Sequence, residues 1–285
     1  MDGPAGRGRR RAGRRGAVTG AAAAERSVWL DGRLIPPGEA ALSIDDPAVR
    51  FGQGLFETMR ADGGRVPWLE RHLDRLERSA AELGLGPMPA RAEMREAVGR
   101  ALDASGSPSA RVRLTATPRP TLLVEVMPEP PRPALAPEAT AITVRGAWLP
   151  TRTLAEHKTL SYGSYRQAQA AATAAGADHA LLLDADGRLG EAAMANAFAV
   201  LFGAIVTAPV QGILPGIARA AVAEVVPVRE EILEEPVWRT AEELFLTSAV
   251  AGVIPLVAVD GRAVGAGRAG PVTRDIAAAV RALAR

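Results

Sequence analysis

Five prolines fall within ten residues: Pro128, Pro130, Pro131, Pro133 and Pro137. Proline fixes φ and lacks a backbone N–H, so neither a helix interior nor a central strand can pass through such a run. The segment is expected to be a stiff, extended linker over residues 128–139. It divides the 285-residue chain into an Arg-rich tail (1–26), a smaller amino-terminal domain (27–127) and a larger carboxy-terminal domain (140–285). That is ample chain for buried cores.

Hydrophobic periodicity fills in the elements. Residues 28–35 read as a hairpin turned at Asp31-Gly32, and a second hairpin is expected around Asp62-Gly63-Gly64. Leu69, Leu73, Leu76, Ala80 and Leu83 recur at helical spacing and stop at Gly84. A second amphipathic helix covers 91–104, and 112–127 reads as two strands around Pro118–Pro120. After the linker come strand 141–146, helix 164–175, strand 179–184, a hairpin over 197–207 and a helix after Gly216. Strand 244–247, a turn at Asp260-Gly261 and a helix from 273 complete the pattern. Strands and helices interleave without a repeated βαβ rhythm, so the expected class is α+β.

Charge and composition narrow the function. The chain has a net charge of +2 and a sequence pI of 9.6, yet residues 1–24 alone carry six arginines against Asp2, leaving −3 for the rest. A basic, apolar-poor tail on a mildly acidic body reads as a disordered extension and makes nucleic-acid binding an unfavoured class. There is no cysteine, which excludes disulfides and thiolate chemistry, and His72, His157 and His179 are too scattered to suggest a metal cluster. No apolar run approaches the roughly 20 residues of a membrane span. A cytoplasmic enzyme is the default expectation.

Lys158 is the only lysine in a chain with 34 basic residues. Arginine supplies positive charge everywhere else, but its guanidinium stays protonated, whereas a buried lysine readily yields a neutral, nucleophilic amine. Lys158 is therefore a candidate for covalent chemistry with a carbonyl cofactor.

The residues downstream sharpen this. HKTLSY (157–162) is followed by Glu191, by Asn196 five positions on, by Phe198 and Thr207, and by Gly216-Ile217-Ala218-Arg219. Together with FGQGLFETMR (51–60) and RHLDRLERSAAELG (71–84), this order resembles the class IV aminotransferase family, the fold-type IV enzymes that use pyridoxal 5'-phosphate. The resemblance covers about residues 28–260. It implies a two-domain architecture with the cofactor at the domain interface, and a homodimer. By resemblance, Lys158 bonds the cofactor and moves the substrate proton, Glu191 pairs with the pyridine nitrogen, and Arg75 binds the phosphate. Ile217 and Ala218 open a helix whose amides can cradle that phosphate; the family usually has threonine at the second position. Ser248 and Ala249 match a further phosphate and substrate loop, and Tyr162 is the substrate-facing candidate.

Within the family, the KTLSY spacing and the FGQGLFETMR phrasing look most like aminodeoxychorismate lyase, which makes 4-aminobenzoate and pyruvate for folate. Gln53, Ser161 and Ser248 depart from the lyase pattern. The alternative is a branched-chain or D-amino-acid aminotransferase, and a more remote one is a non-catalytic binding protein on the same fold. One test follows from the tail. Removing residues 1–24 leaves melting temperature, cofactor loading and turnover unchanged, because the segment lacks apolar residues to join a core. A large drop in any of these would show that the tail docks onto the fold.

Overall fold

The computed structural model describes residues 25–146 and 152–284. Up to position 24 the expected tail lies outside the described residues. Glu25 and Arg26, assigned to it from sequence, are bonded to the fold: Glu25 N donates to the Ser105 carbonyl at 3.3 Å, and Arg26 pairs with Glu125 at 2.6 Å.

The first half builds one antiparallel sheet. β1 (Ser27–Leu30) and β2 (Arg33–Ile35) form a hairpin in which Asp31 and Gly32 take φ of 45° and 86°, the left-handed geometry that matches strand twist. Helix α1 (Pro47–Phe51) is capped by the Asp46 carboxylate. Then follow β3 (Leu55–Asp62), α2 (Leu69–Glu82), α3 (Arg91–Ser105), β4 (Ser109–Ala116) and β5 (Leu122–Pro128). The strand order is β2-β1-β5-β4-β3. Leu73, Leu76, Met94 and Val98 of the two long helices pack against Met59, Leu114, Val124 and Val126 in one buried core. The expected second hairpin at Gly63-Gly64 reduces to a single bridge between Asp62 and Arg65. Pro67, lacking an N–H, cannot extend that pairing, and β3 instead runs its full length against β4.

The linker holds no helix or strand between β5 and β6 (Ala139–Arg145). It is nevertheless fixed: Arg60 and Ser109 both donate to the Pro130 carbonyl, and Arg132 pairs with Asp62 at 3.2 Å. The second half adds α4 (Arg152–Ala155), α5 (Gly163–Ala174), β7 (His179–Leu183), β8 (Leu189–Ala192), β9 (Ala195–Leu201) and β10 (Ala204–Thr207). Next are α6 (Ile217–Val225), β11 (Val228–Glu230), α7 (Glu235–Trp238), β12 (Glu243–Ser248), β13 (Gly252–Val259), β14 (Arg262–Ala263) and α8 (Pro271–Leu283).

Six of these strands close into a ring. The order β9-β12-β13-β6-β7-β8 returns to β9, because the start of β9 pairs with β8 while its end pairs with β10. Closure removes the exposed edges an open sheet would carry. Leu181, Leu183, Leu246, Ile254 and Leu256 fill one core of this half, and α6 and α8 cover Phe198, Val200 and Phe245 in another. The fold is α+β: β6–α5–β7 and β10–α6–β11 are parallel units, β13 and β6 also pair in parallel, and the other pairings of this sheet are antiparallel. Among the described residues, no helix is long and apolar enough to cross a membrane.

The two halves are stitched at the lysine. Phe56 N donates to the Lys158 carbonyl at 2.9 Å and Leu160 N to the Gly54 carbonyl at 3.0 Å, so residues 158–160 run as a short antiparallel extension beside the start of β3. Gly54 sits at this seam with φ of 152°, and a Cβ there would meet Leu160 Cδ1 at 2.7 Å and the Ala116 carbonyl at 3.0 Å. Gly54→Ala therefore destabilises the protein by about 1–3 kcal/mol and shifts the lysine segment. Chemical denaturation checks the first effect and loss of cofactor affinity the second; unchanged values for both would show that the seam tolerates displacement.

Candidate active site

A cavity of about 680 Å³ opens between the two sheets, and Lys158, Arg75, Glu191, Ile217, Ala218, Ser248, Ala249 and Tyr162 all line it. Residues spread over 175 positions of sequence thus share one wall.

Glu191 stands on β8 at the cavity floor, buried at 6% exposure. The five-residue spacing to Asn196 has a simple origin: the two are direct cross-strand partners in the tight β8–β9 hairpin turned at Ala193-Met194. Asn196 Nδ2 donates to Glu191 at 3.3 Å and to the Leu214 carbonyl at 2.8 Å, while Leu214 N–H and the Tyr165 hydroxyl also donate to Glu191, each at 3.2 Å. Burial pushes this carboxyl up to about 8, against the pull of the Leu214 and Tyr165 donors and of the Lys158 and Arg75 charges.

Lys158 projects from the loop between α4 and α5, its Nζ 4.6 Å from the Phe56 ring centre and 5.7 Å from that of Tyr162. Desolvation, reinforced by the Arg75 charge, lowers its ammonium from the ordinary 10.5 to about 8. A substantial fraction of neutral amine near physiological pH is the result.

Arg75 faces the cavity from α2. Its Nε and Nη2 grip Glu57 at 2.8 and 2.6 Å, and its Nη1 donates to the Pro215 carbonyl at 3.0 Å. Glu57 is fully buried on β3 and also bonds His72 Nδ1 at 2.7 Å. Burial works against its charge, but Arg75 and His72 outweigh it and hold the carboxyl well below the usual range.

Beside Arg75, α6 begins at Gly216 with no side-chain cap, which leaves the first amides, those of Ile217 and Ala218, facing the cavity at the helix's positive end. A Cβ on Gly216 would collide with Asn196 Oδ1, so only glycine lets the helix start here. Ala218 offers no side-chain hydroxyl, but backbone amides do not need one. Thr247 Oγ1, one residue before the expected Ser248, is buried on the same wall and has no hydrogen-bond partner among the described residues. Ser248 Oγ instead accepts from Ala251 N at 3.0 Å and shapes its own turn. An orphaned hydroxyl, uncapped amides and a guanidinium around one spot fit a phosphate.

Tyr162 stacks on Tyr165 with ring centroids 4.8 Å apart, and its hydroxyl donates to the Ala193 carbonyl at 2.8 Å. Its ring forms cavity wall while its hydroxyl is committed to the backbone. The signature residues Phe198, Thr207 and Arg219 lie outside the chemistry. Phe198 stacks on Phe245, Thr207 bonds the Ala197 carbonyl, and Arg219 ties α6 to Ala208 and Glu230.

Sequence reasoning missed Glu57, Thr247 and Arg113. Arg113, on β4, stacks 3.8 Å over Phe56 and lines the cavity without an ion pair among the described residues. Its position inside an alternating strand would ordinarily face a core or solvent, and only assembly of the second sheet makes that face a cavity wall.

Comparison with known proteins accords with this geometry. The model of the amino-transferase class IV family matches residues 54–259. The chain is 33% identical over 270 residues to a putative branched-chain-amino-acid aminotransferase of Methanocaldococcus jannaschii, covering 87% of this chain and 93% of that one. It is 28% identical to the D-alanine aminotransferase of Bacillus licheniformis over 89% and 95% of the two chains. A hypothetical aminotransferase from Mycobacterium tuberculosis, solved in its PLP-bound form, superposes with a TM-score of 0.80 at 26% identity over 91% of this chain and 99% of that one. With a cavity that fits the cofactor and a family match over most of its length, the chain belongs to the class IV aminotransferases and is a pyridoxal 5'-phosphate-dependent enzyme.

Proposed function

We propose that the protein is an amino-acid aminotransferase acting on a branched-chain or D-amino acid. The observation that carries the chemistry is that Lys158 and Glu191 line one cavity together with Arg75, the first residues of α6 and Thr247. The likeness to branched-chain and D-alanine aminotransferases favours transfer over the elimination expected from sequence phrasing. The lyase expectation rested on the Lys158–Tyr162 spacing and on FGQGLFETMR (51–60), and the Tyr162 hydroxyl is bound to the backbone rather than free to select a substrate.

Bound here, the cofactor supplies an electron sink for negative charge at the substrate's α carbon. Lys158 is the nucleophile that takes the cofactor's carbonyl and the base that carries the α proton on its Nζ. Glu191 would pair with the cofactor's ring nitrogen, and that positive charge would offset the desolvation that raises its carboxyl and keep it ionised. Arg75, Ile217 and Ala218, with the hydroxyl of Thr247, hold the phosphate. Ser248 and Ala249 form the turn bordering substrate, and Tyr162 and Phe56 exclude water from the amine. Arg113, desolvated and without a carboxylate partner among the described residues, is the natural mate for a substrate carboxylate. The reading includes two domains meeting at this cavity and assembly as a homodimer. Exposed Ile44, Val49 and Phe51, close together in sequence beside the lysine loop, supply apolar surface for a second copy.

Lys158→Ala and Lys158→Arg both abolish turnover, the second because charge is kept while nucleophilicity is lost. Near-normal activity in either variant sinks the assignment. In the wild type, capture of added cofactor by cofactor-free protein requires the neutral amine. Its rate therefore rises as pH increases through about 8 and levels off well short of 10.5. A rate still climbing up to 10.5 would mark an ordinary solvated lysine.

Anchoring and electronics separate by mutation. Arg75→Ala weakens cofactor affinity by roughly ten- to a hundredfold and costs about 3–5 kcal/mol of stability, since it strands the Glu57 carboxylate. Glu191→Gln chiefly slows the chemical step at saturating cofactor. Equal effects of the two variants on affinity alone would contradict the division of roles.

Assays of the loaded enzyme with amino acid plus keto acid pairs, and separately with aminodeoxychorismate, test the reaction itself. Amino transfer is expected, with Arg113→Leu raising KM for the donor while leaving cofactor affinity unchanged. Release of pyruvate from aminodeoxychorismate without amino transfer would restore the lyase reading.

A further inference from the structure

A second cavity, about 370 Å³, opens at the opposite end of β3 from the lysine seam, where the turn after Asp62, the linker and the last turn of α8 meet. Three arginines line it, Arg65, Arg132 and Arg281, against one carboxylate, Asp62. Asp62 is already shared: Oδ1 accepts from Arg60 Nε and Oδ2 from Arg132 Nη2, each at 3.2 Å. Arg281 Nη1 is sealed from solvent and has no hydrogen-bond partner among the described residues. Arg111, Arg188 and Arg219 also have one buried nitrogen without a hydrogen bond, but their guanidinium groups form ion pairs, with Glu129, Asp186 and Glu230. Arg65 likewise forms no ion pair among the described residues and is exposed at the rim.

A buried, charged donor with nothing to bond is costly, and two further guanidinium groups around the same space compound the cost by repulsion. An acceptor with two negative charges and several oxygens removes both penalties at once, because guanidinium forks match phosphate geometry. We propose that this cavity binds a dianion of the phosphate class, at a site separate from that of the cofactor. Its three arginines come from three segments, the β3 turn, the linker and α8, so the ligand ties the first sheet to the last helix. Arg132 also abuts Gly252, where a Cβ would lie 3.0 Å from its Nη1, and Gly252 follows the Ser248–Ala251 turn of the active site. Occupancy therefore restrains the chain leaving that turn.

The test is thermal unfolding of the full chain saturated with pyridoxal 5'-phosphate, so that the cofactor site is filled, titrated with inorganic phosphate, with glycerol phosphate, or with chloride at matched ionic strength. A saturable rise in melting temperature with either phosphate, absent with chloride, is expected. A response to the ester alone identifies an organic phosphate as the ligand, and a response to both includes the free ion. Arg281→Gln and Arg65→Gln each weaken the apparent affinity roughly tenfold; the second, being at the surface, leaves the fold intact. An equal response in both variants and the wild type, an equal response to chloride, or no response to either phosphate overturns the site.

Discussion

The molecule is organised around how Arg75 is held. Its guanidinium makes two bonds to Glu57 on β3 and one to the Pro215 carbonyl just before α6. The first two fasten α2 to its own sheet, and the third reaches across to the second half of the chain. Because Glu57 is buried, removing the arginine would strand a charge in low dielectric, which is far more damaging than losing a surface pair. Burial lowers the Lys158 ammonium most, and the charge of the same guanidinium lowers it further. Anchoring of the halves, the proposed phosphate contact and part of the shift at the amine thus share one side chain.

The opposite wall depends on closure of the ring. Glu191 and Asn196 face each other because β8 and β9 form a tight hairpin, and that hairpin closes the ring of six strands. The turn between β12 and β13 carries Ser248 and Ala249 to the cavity, with Thr247 at the strand end before it. Gly216 lets α6 start in contact with Asn196, so the carboxylate, its orienting amide and the helix terminus are set by one another. Polar groups so mutually constrained lose little freedom when a charged ligand arrives.

Much of this was legible in the residues. Lys158 stood out because arginine does every other cationic job, and the Asp31-Gly32 hairpin, α2 and α6 carry local turn and capping signals that tertiary packing did not override. The absence of helix and strand over 129–138 followed from proline chemistry alone. Ring closure was not legible, since pairing of β8 with both β7 and β9 depends on contacts that no short window contains. Glu57 read as one strand residue among others, and its importance appears only when α2 lays Arg75 and His72 on it. Ser248 and Ala249 follow from resemblance to a family loop and both line the cavity, but the packing that leaves Thr247 Oγ1 without a partner and engages Ser248 Oγ in its own turn is not visible in that motif. Tyr162 lines the cavity, but a ring in the wall and a hydroxyl on a carbonyl are indistinguishable in sequence from a substrate-binding tyrosine.

The central claim is that one amine, Lys158 Nζ, takes the cofactor's carbonyl. Reductive trapping tests it directly, because the chain contains no other lysine. The protein is loaded with pyridoxal 5'-phosphate, treated with borohydride, digested and analysed by mass spectrometry. The account predicts a single pyridoxyl adduct, on the peptide containing Lys158, at one per chain. An adduct confined to the terminal amine, or none in a protein that binds the cofactor, would contradict it.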